Sequence, residues 1–290
     1  MSLDAAPRAF TSPQPIERLE TVRILAPLAI LGFLSTRLWH VGSWLTEAGF
    51  VVPNLGRDDY RQPLYLGPLP LWLAVIVAVL TVASGLSTSL GYKTRIASGV
   101  FAALLAYLAL ADRLEAFTVS KLGTVVAVAL FASPAGARYG IDARARPQSS
   151  APPTHVNWGN VRFFQALLVF MYASSGIAKA SGGWLDNPSV IWTHLHDSYQ
   201  TAITYLLAST VPAFGWTIFQ YTTLVYELGA PVWYAWTRTR IAALMVGLGM
   251  HITIGIMFGP VVWFSLLMMS LLLASFAPLP LLARALRHLW

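Results

Sequence analysis

Lys179 is the residue whose type and position first suggest chemistry. It lies in the stretch MYASSGIAKASGGW (171–184), where an apolar run ends in small residues, two glycines and a tryptophan. An amine at the end of a membrane-spanning helix can anchor that helix by snorkelling to the surface. At the mouth of a cavity it can instead take part in proton transfer, and its neutral form is then favoured by apolar surroundings. Both interpretations of Lys179 stay open on composition alone.

Polar residues recur every seven positions along two apolar segments. In the segment of Lys179, this spacing and the i, i+4 spacing place four side chains on one helical face: Gln165, Tyr172, Ser175 and Lys179. A later segment has the same seven-residue stripe: Gln220, Glu227 and Tyr234. Ionisable groups inside a membrane are costly and tend to face a cavity or a partner. Both stripes therefore predict inward-facing polar surfaces.

Three further ionisable positions are candidates for proton transfer or orientation of a substrate. His251 follows Arg240 by eleven residues, which is roughly 16 Å of helix, and Glu227 lies at a similar depth, so the two are predicted to meet at mid-membrane. Arg37 and His40 share a face near the outer end of the first span. Each has a structural alternative: Glu227 as a hydrogen-bond node, His251 as a core histidine, Arg37 and His40 as surface anchors.

Metal binding and several common catalytic chemistries are not favoured. The stretch HLHD offers His194, His196 and Asp197, but the alternation suits a strand better than a helix and no further ligand is evident. We expect no metal site there, and a surface or substrate-channel role instead. The chain has no cysteine, which excludes thiolate catalysis and iron–sulfur ligation by this chain. Phosphate-loop, dinucleotide-binding, zinc-protease and serine-hydrolase signatures are absent.

Long apolar segments must position these residues. Hydrophobic residues make up 56% of the 290, charged residues only 11%, and the mean hydropathy is +0.61. We therefore predict an all-α, polytopic membrane helical bundle with about eight transmembrane helices. The predicted spans are about 22–41, 69–90, 95–112, 118–134, 162–180, 214–236, 240–259 and 261–279. The last two are separated only by Gly259-Pro260 and could form one re-entrant unit, and 200–212 is expected at the membrane interface.

The distribution of Lys and Arg orients the bundle. Most of these residues fall in alternate loops, which predicts that both termini and these loops are cytoplasmic. The net charge of +7 is thereby assigned to cytoplasmic loops, and we expect no nucleic-acid partner. The outer loops, 42–68 and 181–213, are then predicted to cap the side on which Lys179 lies. We expect one domain, 1–290, with halves of about 16–143 and 156–280 and a cytoplasmic linker at 144–155.

The spacing around Lys179 resembles a known family. Tyr172, Gly176, Lys179 and Trp184 follow the pattern of the segment that carries the catalytic lysine of vitamin K-dependent γ-glutamyl carboxylase. VRFFQALLVF resembles the start of that helix, and the segment from YELGAP to HITIGIMF resembles the next helices. LGYKTRIA and LFASPAGARYGID resemble the small bacterial branch, the horizontally transferred transmembrane (HTTM) domain. The resemblance covers roughly residues 16–278.

The resemblance implies a function and a set of roles. Lys179 corresponds to the base that acts on reduced vitamin K, with His251, Glu227 and His40 as further catalytic candidates. Tyr172, Gln165, Ser175, Trp184 and Arg37 are candidates for holding the cofactor. The implied cofactor is an isoprenoid quinol such as reduced vitamin K (menaquinol), with O2 and CO2 if the protein is a true carboxylase. The implied location is the bacterial cytoplasmic (inner) membrane, with the active side facing outward.

One departure from the carboxylase keeps a second class of function open. The carboxylase has a large lumenal domain that binds its substrate, and we expect no equivalent in this chain, which ends at Trp290. The first hypothesis is a quinol-linked membrane enzyme that carries out carboxylation or oxidation. The alternatives are a non-catalytic membrane module, a maturation or immunity factor for a secreted peptide, and a DoxX/DoxD-like quinone-reactive subunit. The expected partners are membrane lipid or quinone and a secreted peptide or protein substrate.

Overall fold

The computed structural model describes residues 11–49, 66–112, 117–147, 151–196 and 200–290. The chain divides into two compact units. The N-terminal unit comprises Pro15–Val156 with Ala285–Trp290, and the C-terminal unit comprises Asn157–Arg284 with Met1–Gln14.

Helices dominate the N-terminal unit. Its elements are α1 (Ile16–Trp39), α2 (Val41–Leu45), α3 (Leu71–Leu90), α4 (Thr94–Ala111), α5 (Thr118–Phe131) and α6 (Ile141–Arg144). Two short strands, β1 (Gln14–Pro15) and β2 (His155–Val156), pair beside the start of α1, where the backbone N–H of Ile16 donates to the carbonyl of Thr154. Helix α4 packs between α3 and α5, and α1 packs on α3 and α5.

The C-terminal unit is also helical. Its elements are α7 (Trp158–Ser181), α8 (Val190–His194), α9 (Ala202–Thr210), α10 (Ala213–Ala235), α11 (Arg240–Met257), a 3-10 turn (Gly259–Val261) and α12 (Val262–Phe276), while α13 (Leu279–Leu289) runs to the end of the chain. Helix α10 packs against α7, and α12 packs along α11. The Gly259-Pro260 break thus separates two helices that lie side by side.

The predicted all-α membrane bundle is confirmed. Among the described residues, six helices are long and apolar enough to cross a membrane, or seven if α9 and α10, which meet at 113°, form one broken span. Each of the eight predicted spans corresponds to a helix. Helix α5, however, has only 14 residues, fewer than a helix needs to cross a membrane. The segment predicted at the interface, 200–212, contains the short helix α9.

The first span begins earlier than expected because its charged residues are paired inside the protein. Glu20 and Arg23 are fully buried, with Arg23 Nε 2.5 Å from Glu20 Oε2. The Arg23 guanidinium also donates to the carbonyls of Thr88, Ser89 and Tyr139. Glu20 in turn accepts from the backbone N–H groups of Gly136 and Arg138. This network, called the Glu20–Arg23 clamp below, ties α1 to the end of α3 and to the segment after α5.

Candidate functional site

Helix α7 carries Lys179 on its last turn. The helix starts at an Asn157 cap whose side chain accepts from the N–H of Gly159 at 2.9 Å. It ends in a turn in which the N–H groups of Gly182 and Trp184 both donate to the carbonyl of Lys179. Gly183 adopts φ +89°, a conformation that favours glycine. The turn folds Trp184 back, so that the Lys179 ammonium lies 5.1 Å from the centre of a Trp184 ring.

Lys179 and Glu227 form an ion pair between α7 and α10. Lys179 Nζ lies 2.5 Å from Glu227 Oε2, also contacts Oε1, and lies 3.0 Å from Ser175 Oγ. Gly176 permits this approach, since a Cβ there would lie 2.8 Å from the backbone nitrogen of Leu228. The Lys179 side chain keeps 24% of its surface exposed, against 6% for Glu227. The pair is therefore closed on the side of Glu227 and open on the side of the amine.

The open side of the pair faces a cavity of about 280 Å³. Apart from Lys179 and Glu227, its polar lining residues are His194 and Thr223. The remaining lining is apolar or aromatic: Trp184, Ile191, Phe219, Ile254, Met257 and Phe258. Such a site, mostly apolar with a few convergent polar groups, is typical of small-molecule binding.

Residues 184–191, called the cover segment below, close one wall of this cavity. Gln220 holds the segment through its side-chain amide, which donates to the carbonyls of Trp184 and Asn187 and accepts from the N–H of Ile191. Thr217 and Tyr221 donate to the carbonyls of Pro188 and Leu185. Helix α10 thus holds the segment almost residue by residue.

A second polar group lies deeper between α7, α10 and α11. His251 Nε2 and Tyr172 Oη are 2.8 Å apart, and the rings of Tyr172 and Tyr226 meet edge to face at 5.2 Å. Tyr226 Oη lies 2.6 Å from Tyr234 Oη, which donates to the carbonyl of Ala243. His251 is buried, and its Nδ1 has no hydrogen-bond partner within the described part of the chain. These four side chains form a buried polar cluster, in which the imidazole Nδ1 is the described atom that lacks a hydrogen-bond partner.

The structure brings together only part of the predicted site. Lys179, Glu227 and Ser175 contact one another directly, and Trp184 lies over the amine. Glu227 and His251 were expected to contact each other, but each has a different partner. Lys179 bonds the Glu227 carboxylate, and Tyr172 bonds the His251 imidazole.

The other predicted residues lie away from the cavity lining. Gln165 links Arg162 to the carbonyl of Ser275. Arg37 and His40 belong to the N-terminal unit, where the Arg37 guanidinium lies 4.8 Å from the ring centre of Phe33 and His40 is exposed at the end of α1. His196 packs against Trp192, and Asp197 is outside the described residues.

Sequence reasoning missed two kinds of residue. The first is Tyr226, which connects Tyr172 to Tyr234. Its position next to Glu227 in the sequence was a signal that could have identified it. The second is the apolar lining from the ends of other helices, such as Phe219 and Phe258. No local pattern marks these residues, because the cavity exists only once the helix ends meet.

Comparison with known proteins places the chain in a family. A family model described as the HTTM domain matches residues 17–277. The chain belongs to the HTTM family. This HTTM domain occupies nearly the whole chain and links it to the γ-carboxylase family, as a membrane protein of the carboxylase-associated group. No curated protein and no solved structure matches the chain.

Proposed function

We propose that this HTTM-family protein is a membrane enzyme that binds the head group of an isoprenoid quinol and accepts a proton at the Lys179–Glu227 pair. The observation that carries the proposal is an ion pair that opens on its amine side into an otherwise apolar cavity. An ion pair with a purely structural role needs no cavity beside it. An ion pair that contacts a substrate needs a cavity large enough to hold that substrate.

The residues present fit a quinol head group. Aromatic and aliphatic walls from Trp184, Phe219 and Phe258 suit a flat ring, and Lys179, Glu227 and His194 offer groups for its hydroxyls. The cavity of about 280 Å³ lies near the lower end of the range for ligand pockets, roughly 300–1,000 Å³. It therefore suits a ring system, while a prenyl tail would extend outside it. When bound, the quinol would supply reducing equivalents and an acidic hydroxyl.

The proposal places the proton on a different atom from the one that the resemblance implies. Lys179 is the hydrogen-bond donor of the ion pair, to Glu227 and to Ser175. Glu227 then accepts the proton at a carboxylate oxygen, and the ammonium, 2.5 Å from Oε2, stabilises the negative charge that develops in the cavity. Trp184 and the cover segment limit access of water to the amine.

The further parts of the proposal rest on the charge pattern and the resemblance. The cavity would face outward from a bacterial cytoplasmic membrane, because the basic loops are expected inside. Carboxylation would require O2 and CO2 in addition to the quinol, and a secreted peptide or protein would be the acceptor. His251 and Tyr172 would keep the core of α7, α10 and α11 in register behind the site.

The experiment measures bound quinone in purified protein. Protein is expressed in a menaquinone-containing bacterium, purified in non-ionic detergent, extracted with organic solvent and analysed by mass spectrometry. The double variant Lys179→Met/Glu227→Leu removes both charges and leaves no unpaired buried ion. We expect its menaquinone content to fall by about tenfold or more, since a hydrogen bond to a charged group contributes about 1.5–3 kcal/mol.

Lys121→Met is the matched control. Lys121 is an exposed lysine on α5 of the N-terminal unit, so the same substitution is made outside the cavity. The control should keep the wild-type menaquinone content. Equal menaquinone in the wild type and the double variant, with both proteins folded, would refute the proposal.

The second candidate is a non-catalytic module in which the pair only clasps two helices. The close approach at Gly176 favours it, because α7 and α10 pack tightly there beside the ion pair. Lys179→Arg separates the two functions. Arginine keeps the ion pair but alters the shape and hydrogen bonding of the amine, so a clasp tolerates it, whereas the quinol site loses menaquinone.

A further inference from the structure

A second cavity lies in the N-terminal unit, at the end of the bundle where α4 begins and α5 ends. It measures about 730 Å³. It is lined by the residues from Lys93 to Ile96, by those from Phe131 to Ala137, and by Asp142 and Arg146. Nothing in the quinol proposal uses this cavity, and it shares no residue with the Lys179 cavity.

The lining of this cavity is suited to an anion. Lys93, Arg95 and Arg146 contribute three positive charges, against one carboxylate from Asp142. The 18-residue helix α4 also begins here, and its first turn has no side-chain cap within the described part of the chain. The first N–H groups of a helix point out of its N-terminus and attract anions together with the helix dipole.

The Thr94 hydroxyl is an independent sign of a missing partner. Thr94 lines the cavity with only 5% of its surface exposed, and its Oγ1 has no hydrogen-bond partner among the described residues. It lies against Gly136, which has φ +83° and where a Cβ would overlap the hydroxyl. Buried hydroxyls in proteins are almost always hydrogen-bonded. A ligand oxygen at the start of α4 would satisfy this one.

The apolar part of the lining indicates which anion. Ile96 and Phe131 line the cavity and are large, exposed hydrophobic residues. Both belong to the membrane-helix ends, where phosphates of lipid head groups lie above acyl chains. We propose that this cavity binds the phosphate of an anionic phospholipid, with its polar contacts at Lys93, Thr94 and Arg95 and its acyl chain along Ile96 and Phe131.

The test is native mass spectrometry of the full chain in non-ionic detergent with added phosphatidylglycerol. We expect one retained lipid per wild-type protein. Lys93→Gln/Arg95→Gln should lower its affinity by about 30-fold, at about fivefold for each basic residue near a membrane surface. Thr94→Val should lower it by about tenfold, while the melting temperature of the lipid-free protein stays the same or rises, because an unpartnered buried hydroxyl is removed.

The control removes two positive charges elsewhere. Arg238→Gln/Arg284→Gln changes two exposed arginines outside the cavity and should keep the bound lipid. Phosphatidylcholine and inorganic phosphate are tested in parallel. Equal lipid retention by all variants would overturn the proposal, and so would binding of inorganic phosphate without retention of phosphatidylglycerol. Loss confined to the two cavity variants would support it.

Discussion

Two ion pairs in the described part of the chain, one in each unit, are built differently. In the Glu20–Arg23 clamp both side chains are fully buried, and the guanidinium and carboxylate are further bonded to backbone carbonyls and N–H groups. In the Lys179–Glu227 pair the lysine side chain is 24% exposed, and among the described residues its amine donates to the side chains of Glu227 and Ser175. Backbone hydrogen bonds therefore surround the Glu20–Arg23 clamp, whereas the Lys179–Glu227 pair borders a cavity.

The difference shows how the burial and the hydrogen-bond partners of an ion pair distinguish a structural pair from one that can bind a ligand. A guanidinium with several fixed donors suits a site where geometry must not change. A lysine amine is a compact point charge with three rotatable donors on a flexible stem, so it can turn a donor from a protein oxygen to a ligand. The same kind of charge pair therefore holds the N-terminal unit together and, in our proposal, presents a reactive group in the C-terminal unit.

The largest expected effect is a loss of stability when the basic residue of each ion pair is replaced by methionine. Arg23→Met leaves the Glu20 carboxylate buried without its partner, and removal of one member of a buried pair costs about 3–5 kcal/mol. Lys179→Met should cost less, because Arg23→Met also takes away the donor of three backbone carbonyls, whereas Lys179 donates to no backbone group among its described bonds. Thermal unfolding of both variants in detergent measures the contrast. Equal losses of stability would show that the pairs are equivalent.

A change of intermediate size tests the contact that makes the second pair possible. Gly176→Val places a side chain where even a Cβ would lie 2.8 Å from the backbone of α10. Overpacking of this kind costs about 1–3 kcal/mol, and it should also separate Lys179 from Glu227 and lower the bound menaquinone. Gly159→Val provides the comparison in the first turn of the same helix, where a Cβ would meet only the Asn157 side chain, at 3.4 Å, and it should leave menaquinone bound. Retention of menaquinone by Gly176→Val would contradict the role of this contact.

The smallest expected effect concerns the ring beside the amine. Trp184→Leu removes the cation–π contact with Lys179, which is worth about 0.5–1 kcal/mol at a partly exposed site. We expect a two- to fivefold loss of menaquinone affinity and little change in melting temperature. Titration of the purified variant with a naphthoquinone, followed by quenching of intrinsic fluorescence, measures it. An unchanged affinity would place the ring outside the binding site.

The sequence predicted the helices well and their contacts only in part. The apolar runs marked the helices of the eight predicted spans, yet Glu17 and Glu20 hid the true start of α1, because charged residues are interpreted as surface residues until their partners are known. Arg23 falls inside the predicted first span, 22–41, and the sequence assigned it no partner. Its three backbone acceptors come from segments more than sixty residues away, and no local pattern encodes them.

The candidate site divides in the same way. The seven-residue stripes correctly placed Lys179, Ser175 and Glu227 on inward faces, because helical periodicity is local. The pairing of Glu227 with Lys179 instead of His251 depends on the packing of α10 against α7, which Gly176 permits. Depth in the membrane alone could not distinguish these partners.

The bonds from α10 to the cover segment have a consequence for variation within the family. Gln220, Thr217 and Tyr221 hold the segment through its backbone atoms. The cavity itself is lined by the two ends of the segment, Trp184 and Ile191. Substitutions at Trp184 and Ile191 would therefore reshape this wall of the cavity while the bonds from α10 to the backbone of the segment stay in place.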